Sequence, residues 1–179
     1  EKINHFPQFL DFLDSNIKNK EWHITFNGIS FDSQITEWIL KERKMLLTLP
    51  PEKIARWIYA KAQDTIERSN AKQWPEFQER KMKLNQVDVF KLNHWDNPAK
   101  ASSLKWIQYS MDWYNLQEMP IHHATEIKTV KDIFTIVDYC KNDVKSTKNI
   151  LHFTKDQINL RATLTGEYKI NLYSASEPR

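Results

Sequence analysis

The fold of this chain is decided by residues 22–32, which read WHITFNGISFD. Residues 22–26 are rich in β-branched and aromatic side chains and predict a short strand. Asn27 and Gly28 are a typical turn pair. A helical stripe of apolar residues then follows at Ile35, Trp38, Ile39 and Leu40. A strand, a sharp turn and a helix in this order predict the opening of a βα unit.

A second strand is predicted at residues 87–90, which read Val-Asp-Val-Phe. Both strands precede helices, so we expect them to run parallel and to be neighbours in an α/β core. Two parallel strands cannot cover both of their faces and both of their edges. The fold is therefore either nearly all helical or lacks strands on its N-terminal side.

Helices are predicted for most of the remaining chain. Apolar residues follow a helical stripe over residues 7–17 and again over residues 51–66, and each stretch begins at a proline. The strongest helix is predicted over residues 130–153. Thr129 is its expected cap, and Asp132 stands at the position that completes a capping box.

Composition excludes several classes of protein. The 179 residues include only two glycines, which excludes the glycine-rich loops that cradle phosphates and dinucleotides. The single cysteine, Cys140, excludes an internal disulfide and a cysteine-based zinc finger. No uncharged apolar run approaches the ~18–20 residues of a membrane helix. We therefore expect a cytoplasmic protein that has no membrane partner.

Basic residues are concentrated in residues 41–83, which hold eleven Lys and Arg against six Asp and Glu. We interpret this block as an inserted helical pair, because the usual connection between a helix and the next strand is much shorter. Its basic face carries Lys53, Arg56, Lys61 and Arg68. Such a face could guide a polyanion toward a site, or it could simply be a solvated helix surface.

Two groups of residues carry chemistry. Asp32 follows the first strand, and α/β folds place their active sites beyond the carboxyl ends of strands. Alternatively, Asp32 is a carboxylate stabilised by the helix dipole. Tyr139 and Asp143 are four residues apart on a helix and therefore share a face. A phenol beside a carboxylate could orient a water next to a metal ion, although a buried tyrosine is more often part of a core.

Taken together, these groups resemble a known family. Asn-Gly-x-x-Phe-Asp at residues 27–32, followed about a hundred residues later by Tyr-x-x-x-Asp at residues 139–143, is similar to the second and third motifs of DEDDy-type 3′–5′ proofreading exonucleases. Residues 102–105, Ser-Ser-Leu-Lys, resemble a segment that often lies between those motifs, and their serines can also cap a helix. The resemblance spans roughly residues 20–153.

The resemblance implies a ribonuclease-H-like fold and hydrolysis of phosphodiester bonds at DNA 3′ ends with two metal ions, Mg²⁺ or Mn²⁺. Asp143 would bind the metal that activates the water, and Asp32 would help to hold the second metal. Tyr139 would orient the water. The carboxylates of Asp32 and Asp143 are then predicted to lie within about 4–8 Å of each other.

The same resemblance implies contacts with the substrate and a partner. Asn27 and Phe31 would contact the terminal nucleotide, and Ser103 and Lys105 would also bind the substrate. The substrate is the 3′ end of single-stranded DNA, and the expected partner is a polymerase domain or subunit. Such exonucleases occur with DNA polymerases and in phage replication, which for a phage gene places the protein in the host cytoplasm.

One part of the family pattern is missing. The first motif of these exonucleases, Asp-x-Glu, should precede Asn27, but residues 1–26 contain no such pair, and Asp11 and Asp14 have the wrong spacing. We therefore expect residues 1–179 to be a single partial exonuclease domain that lacks its first three strands, with residues 41–83 inserted in it. Alone, it should hold Mg²⁺ weakly and be nearly inactive.

Two other functions compete with the nuclease. The chain could be a nuclease-derived module that binds nucleic acid without cleaving it, or a helical interaction domain in which the motif match is accidental. Asp88, on the second strand, could lie near the site or be satisfied by backbone groups. Five tryptophans could stack on bases, although we expect most of them to belong to the core: Trp57, Trp74, Trp95, Trp106 and Trp113.

Overall fold

The computed structural model of the chain describes residues 4–93, 103–122 and 125–175. It divides into two compact units, Glu1–Asp88 and Val89–Arg179. The described residues are rich in helix and contain a small parallel sheet, which is the α/β class that the sequence predicts. Whether both units belong to one partial exonuclease domain stays a prediction. Within these ranges, no helix combines the length and the apolar character that crossing a membrane requires.

The sheet lies in the first unit and consists of β1, Trp22–Thr25, and β2, Asn85–Asp88. The strands are parallel, with Trp22 opposite Asn85 and Thr25 opposite Asp88, so the predicted pairing is confirmed. The predicted bounds of the second strand are wrong, because β2 starts at Asn85 and ends at Asp88. The chain turns away after Thr25, so the residues beyond Asp88 have no strand left to pair with, and they form a helix instead.

The first unit also contains three long helices: α1, Phe6–Asn19; α2, Asp32–Leu46; and α3, Pro51–Asn70. Arg43 of α2 donates two hydrogen bonds, of 2.8 and 2.7 Å, to the carboxylate of Asp14 on α1. The apolar core between these helices contains Leu10, Ile39 and Leu46, packed against Phe6, Ile35, Trp38, Met45, Leu49 and Ile58.

The basic block at residues 41–83 contains one long helix rather than two. The last residues of α2 occupy its start, α3 fills its middle, and residues 71–83 are irregular apart from a 3-10 turn at Glu79–Lys81. The prediction that Lys61 belongs to the basic face of this helix is wrong. Lys61 lies seven residues after the buried Ile54, so it falls on the same inward stripe of α3 and is only 7% exposed.

The second unit is built from four helices in its described part: α4, Val89–Asn93; α5, Leu104–Ser110; α6, Val130–Phe153; and α7, Lys155–Tyr168. Helices α4, α5 and α7 each contact α6. The long helix therefore organises this unit, and its bounds agree with the prediction.

Both predicted helix caps are confirmed. The Ser103 hydroxyl accepts a hydrogen bond of 3.1 Å from the Trp106 N–H at the start of α5. At the start of α6, Asp132 N–H donates to the Thr129 hydroxyl, and Thr129 N–H donates to the Asp132 carboxylate. This reciprocal pair is the capping box expected from the sequence.

The prediction that most of the tryptophans belong to the core is wrong for three of the five. Trp74 is 90% exposed, Trp106 is 61% exposed and Trp57 is 50% exposed. Trp113 is half-buried, and Trp95 lies outside the described residues. Aromatic surface that is available for stacking is therefore present, and it is largest at Trp74.

Candidate functional site

The first part of the candidate site is the motif loop, residues 26–31, which joins β1 to α2. Asn27 adopts a left-handed conformation with φ of 59°, which asparagine tolerates better than most residues. At Gly28 a Cβ atom would lie 2.3 Å from the Cβ of Thr25, so no larger residue fits there without movement of the backbone. The turn therefore requires glycine at position 28 and favours asparagine at position 27.

Asp88 at the end of β2 holds the motif loop in place. Its carboxylate accepts hydrogen bonds of 2.8 Å from the Asn27 N–H and 3.2 Å from the Ile29 N–H. The residue is fully buried, so these charge-assisted bonds compensate for the loss of water around the carboxylate. The sequence leaves open whether Asp88 lies near the site or accepts hydrogen bonds from the backbone. Its carboxylate accepts hydrogen bonds from backbone N–H groups, and those groups belong to the motif loop.

Two buried polar residues of α2 connect the motif loop to the segment that precedes β2. The Gln34 amide donates 2.9 Å hydrogen bonds to the carbonyls of Ile29 and Phe77 and accepts one from the Phe77 N–H. The Glu37 carboxylate accepts from the Lys83 N–H at 2.7 Å. Neither Gln34 nor Glu37 is predicted from the sequence as part of the site. The signal was a polar residue next to apolar ones on the inward stripe of α2.

Asp32 is the first residue of α2, and it lines a cavity of about 150 Å³ in the first unit. Apolar rings of Phe9 and Phe12 line the same cavity, together with Thr25, whose buried hydroxyl has no hydrogen-bond partner in the described residues. Burial raises the pKa of Asp32 above its ordinary value, although the residue keeps solvent-exposed surface. A cation beside the carboxylate would oppose this shift, because it favours the charged form.

The predicted substrate contacts Asn27 and Phe31 lie on the motif loop that leads to Asp32. Asn27 is exposed and Phe31 is half-buried. Phe31 is the residue that precedes α2, and its backbone N–H donates to the Gly28 carbonyl at 3.2 Å. The structure therefore brings Asn27, Phe31 and Asp32 together in one short segment of the first unit.

The second part of the candidate site is the pair formed by Tyr139 and Asp143 on α6. Both residues are half-buried and share one face of the helix. Burial, and then the charge and hydrogen bond of Asp143, raise the pKa of the Tyr139 phenol. The phenol therefore stays protonated at neutral pH and can donate a hydrogen bond.

Gln108 of α5 positions Asp143. Its amide nitrogen donates to the Asp143 carboxylate at 3.2 Å and to the Ser146 hydroxyl at 2.7 Å. Gln108 is 1% exposed, and its amide oxygen has no partner in the part of the chain that the structure describes. Gln108 is not predicted from the sequence as part of the site, although this polar residue, four positions after Leu104, interrupts the apolar stripe of α5.

Asn142 anchors the neighbouring turn to α6. Its side-chain oxygen accepts hydrogen bonds of 3.0 Å from the Trp113 indole and 3.1 Å from the Asn115 amide. Its amide nitrogen donates to the Asn115 carbonyl at 3.0 Å. Asn142 precedes Asp143 in the chain and is 4% exposed, so this network fixes the helix where the candidate pair lies.

Ser103 and Lys105 were predicted to bind substrate, and each has a contact within the second unit. The Ser103 hydroxyl caps α5, and the Lys105 ammonium pairs with Glu118. The Glu118 side chain is 91% exposed, so this ion pair is weak and easily exchanged for another anion. Substrate binding by these two residues stays a prediction.

Asp32 and Asp143 offer carboxylate oxygens, the hard ligands that Mg²⁺ prefers, and both residues reach solvent. Among the described residues, no three His, Cys, Asp or Glu side chains converge as a group of metal ligands. The carboxylate oxygens of Asp32 and Asp143 fit Mg²⁺, but these two residues supply fewer ligands than a two-metal centre needs. Asp32 lies in the first unit and Asp143 in the second, and their approach to within about 4–8 Å stays a prediction.

Comparison with known proteins adds no relative: no protein-family model, no curated protein and no solved structure matches the chain.

Proposed function

We propose that this chain carries part of the active site of a metal-dependent 3′–5′ exodeoxyribonuclease of the DEDDy type. Its core would be ribonuclease-H-like, and its role would be proofreading beside a DNA polymerase. The observation that supports this proposal best is the Tyr139–Asp143 pair, in which a protonated phenol stands beside a partly exposed carboxylate. The motif loop with Asp32 at the start of α2 supplies the second group of the family pattern.

Asp32 and Asp143 would hold Mg²⁺ or Mn²⁺ in this site. The bound ions supply charge stabilisation and an activated water to the hydrolysis. Tyr139 donates its hydrogen bond to Asp143, and its phenol oxygen would orient the attacking water as an acceptor, while the raised pKa keeps the phenol proton in place. Gln108 holds Asp143 in one orientation from the side opposite to solvent.

Each unit, taken by itself, offers side chains that could contact the substrate. Asn27 exposes an amide that can bind the terminal nucleotide, and Phe31 offers a ring for the base. In the second unit, Lys105 can exchange Glu118 for a phosphate, because its present partner is almost fully exposed. These contacts favour a single strand that ends at the site.

The experiment uses the longest gene product that contains this chain, with a 5′-labelled single-stranded DNA and Mg²⁺. Asp143→Ala should lower the rate of cleavage by about 1,000-fold, which corresponds to several kcal/mol of lost transition-state stabilisation. Binding of the same DNA should change little. Asp138→Ala is the matched control, because Asp138 is an exposed carboxylate on the same helix.

A second candidate is a nuclease-derived module that binds DNA without cleaving it. The exposed indole of Trp74 favours it, because stacking on a base requires no metal ligand. Binding without cleavage by the unmodified gene product would support this module and reject the exonuclease. Equal cleavage by the parent and by Asp143→Ala would also reject the proposal.

A further inference from the structure

The first unit contains a cavity of about 240 Å³ that is separate from the one lined by Asp32. It lies between the motif loop, the C-terminal half of α3 and the segment that follows α3. Polar and charged side chains dominate its lining, which includes Lys61, Arg68, Lys72, Gln73, Pro75 and the acidic Glu76. A cavity of this character is suited to an anionic or hydrogen-bonding ligand rather than an apolar one.

The charges of this cavity are only partly compensated. Lys61 forms its base and pairs with Asp64 at 2.7 Å and with Glu76 at 2.6 Å, so its charge is neutralised. Arg68 makes two longer contacts, an ion pair of 3.6 Å with Asp64 and a hydrogen bond of 3.5 Å to the Gln73 amide oxygen. The ammonium of Lys72 makes no ion pair with any described residue and is exposed. Arg68 and Lys72 are therefore available to an anion at the rim.

The position of Lys72 is fixed by the turn that ends α3. Gln73 N–H donates to the Arg68 carbonyl at 2.9 Å, and Lys72 N–H donates to the Ser69 carbonyl at 3.0 Å, which is a Schellman motif. Lys72 occupies the left-handed position of this motif with φ of 54°. After this turn, residues that follow α3 line the cavity.

Trp74 follows this turn directly and lies between Gln73 and Pro75, which both line the cavity. It is 90% exposed, the largest exposure among the bulky apolar side chains of the described residues. An indole exposed to water does not gain the free energy that burial of its apolar surface in a protein core would provide. Stacking on a nucleobase would recover that energy, and it requires an exposed aromatic face beside a basic groove.

We propose that this cavity and Trp74 form a subsite for single-stranded nucleic acid, in which Arg68 and Lys72 hold a phosphate and Trp74 stacks on a neighbouring base. The class of ligand rests on the proposed function. Ser30 lines the cavity from the motif loop, two residues before Asp32, so a strand held here passes next to the predicted site. The subsite would hold the strand some nucleotides away from the terminal one.

The experiment measures anisotropy of fluorescent twelve-nucleotide oligo(dT) and oligo(rU) with the whole protein in EDTA, so that cleavage does not interfere. Trp74→Ala should raise the Kd roughly 5- to 100-fold. Lys72→Asn should lower the slope of log Kd against log salt by about 0.7, because it removes one phosphate contact. Asparagine is chosen because it tolerates the left-handed backbone at this position.

Each variant has a matched control. Tyr59→Ala, the control for Trp74→Ala, removes an exposed aromatic ring that lies on α3. Lys20→Asn, the control for Lys72→Asn, removes a lysine that also has a left-handed backbone, at the end of α1. Both controls should bind within about twofold of the parent, which is the spread expected for surface changes. Comparison of the two oligonucleotides shows whether the subsite prefers DNA or RNA.

The inference is overturned if the parent does not bind, or if Trp74→Ala and Lys72→Asn bind as the controls do. Its failure is distinct from that of the proposed function. If Asp143→Ala abolishes cleavage but Trp74→Ala does not weaken binding, the nuclease proposal is supported and the subsite is rejected. If Trp74→Ala weakens binding but the parent protein does not cleave DNA, the subsite is supported and the nuclease proposal is rejected.

Discussion

The carboxylate of Asp88 accepts a hydrogen bond of 2.8 Å from the backbone N–H of Asn27, although 61 residues separate the two in the sequence. The motif loop after β1 therefore takes its shape from a residue at the end of β2. Any function of Asn27, Phe31 or Asp32 depends on this connection between neighbouring strands.

We expect Asp88→Ala to lower the free energy of unfolding by about 3–5 kcal/mol, because two backbone N–H groups lose a charged acceptor in a buried place. Urea denaturation followed by circular dichroism measures the effect. Asp138→Ala removes an exposed carboxylate and should change stability by less than about 0.5 kcal/mol. A loss below about 1 kcal/mol for Asp88→Ala would show that the loop does not depend on this contact.

The two glycines should respond in opposite directions to alanine. At Gly28 the new Cβ would meet the Thr25 side chain at 2.3 Å, so Gly28→Ala should destabilise the protein by about 1–3 kcal/mol. Gly166 lies inside α7 with no atom within 4 Å of the new Cβ. Gly166→Ala should therefore stabilise the protein by about 0.5–1 kcal/mol. Thermal unfolding of both variants tests the contrast, and equal shifts would contradict it.

The sequence predicts well those features that depend on local chemistry. Helix α6 begins where Thr129 and Asp132 form their capping box, and that contact lies within four residues of chain. The end of β2 was not predictable in the same way. Val89 and Phe90 have strand propensity, but pairing stops at Asp88 because the partner strand ends at Thr25.

The candidate site also combines features that local spacing predicts with contacts between residues that are distant in the sequence. A shared face for Tyr139 and Asp143 follows from their spacing on a helix. The contact of Gln108 with Asp143 joins α5 to α6 across 35 residues, so no local pattern encodes it. The helical pattern predicts Lys61 on an outward basic face, because lysine is usually exposed. Its partner Glu76 lies 15 residues later in an irregular segment, so no local pattern indicates this buried ion pair.

The ion pair of Lys61 with Glu76 should make stability depend on pH. Hydrogen bonding by Lys61 lowers the pKa of Glu76 below its ordinary value of 4.5. A lowered pKa means that the pair stabilises the folded state above about pH 4.5, and that this stabilisation is lost as the pH falls through the folded-state pKa. Unfolding by urea at pH 7 and at pH 3 should reveal the difference.

Glu76→Gln removes this dependence on pH. The variant should be about 1–2 kcal/mol less stable than the parent at pH 7, a modest loss because Asp64 still pairs with Lys61. The difference between the two proteins should shrink as the pH falls through the folded-state pKa of Glu76. Glu67→Gln, at an exposed position of α3, is the control and should follow the parent throughout. A constant difference between Glu76→Gln and the parent across this range would contradict the assignment.

Tyr139→Phe should slow cleavage without abolishing it, because the phenol orients water and carries no charge in the proposed mechanism. Loss of one hydrogen bond to a charged group corresponds to about a 10- to 100-fold lower kcat. The raised pKa of Tyr139 keeps the phenol protonated below pH 10, so the variant should show the same pH profile as the parent up to that value. Tyr168→Phe, which changes an exposed phenol on α7, is the control and should keep full activity. A loss as large as that expected for Asp143→Ala, or a shifted pH profile, would mean that Tyr139 transfers a proton rather than orienting water.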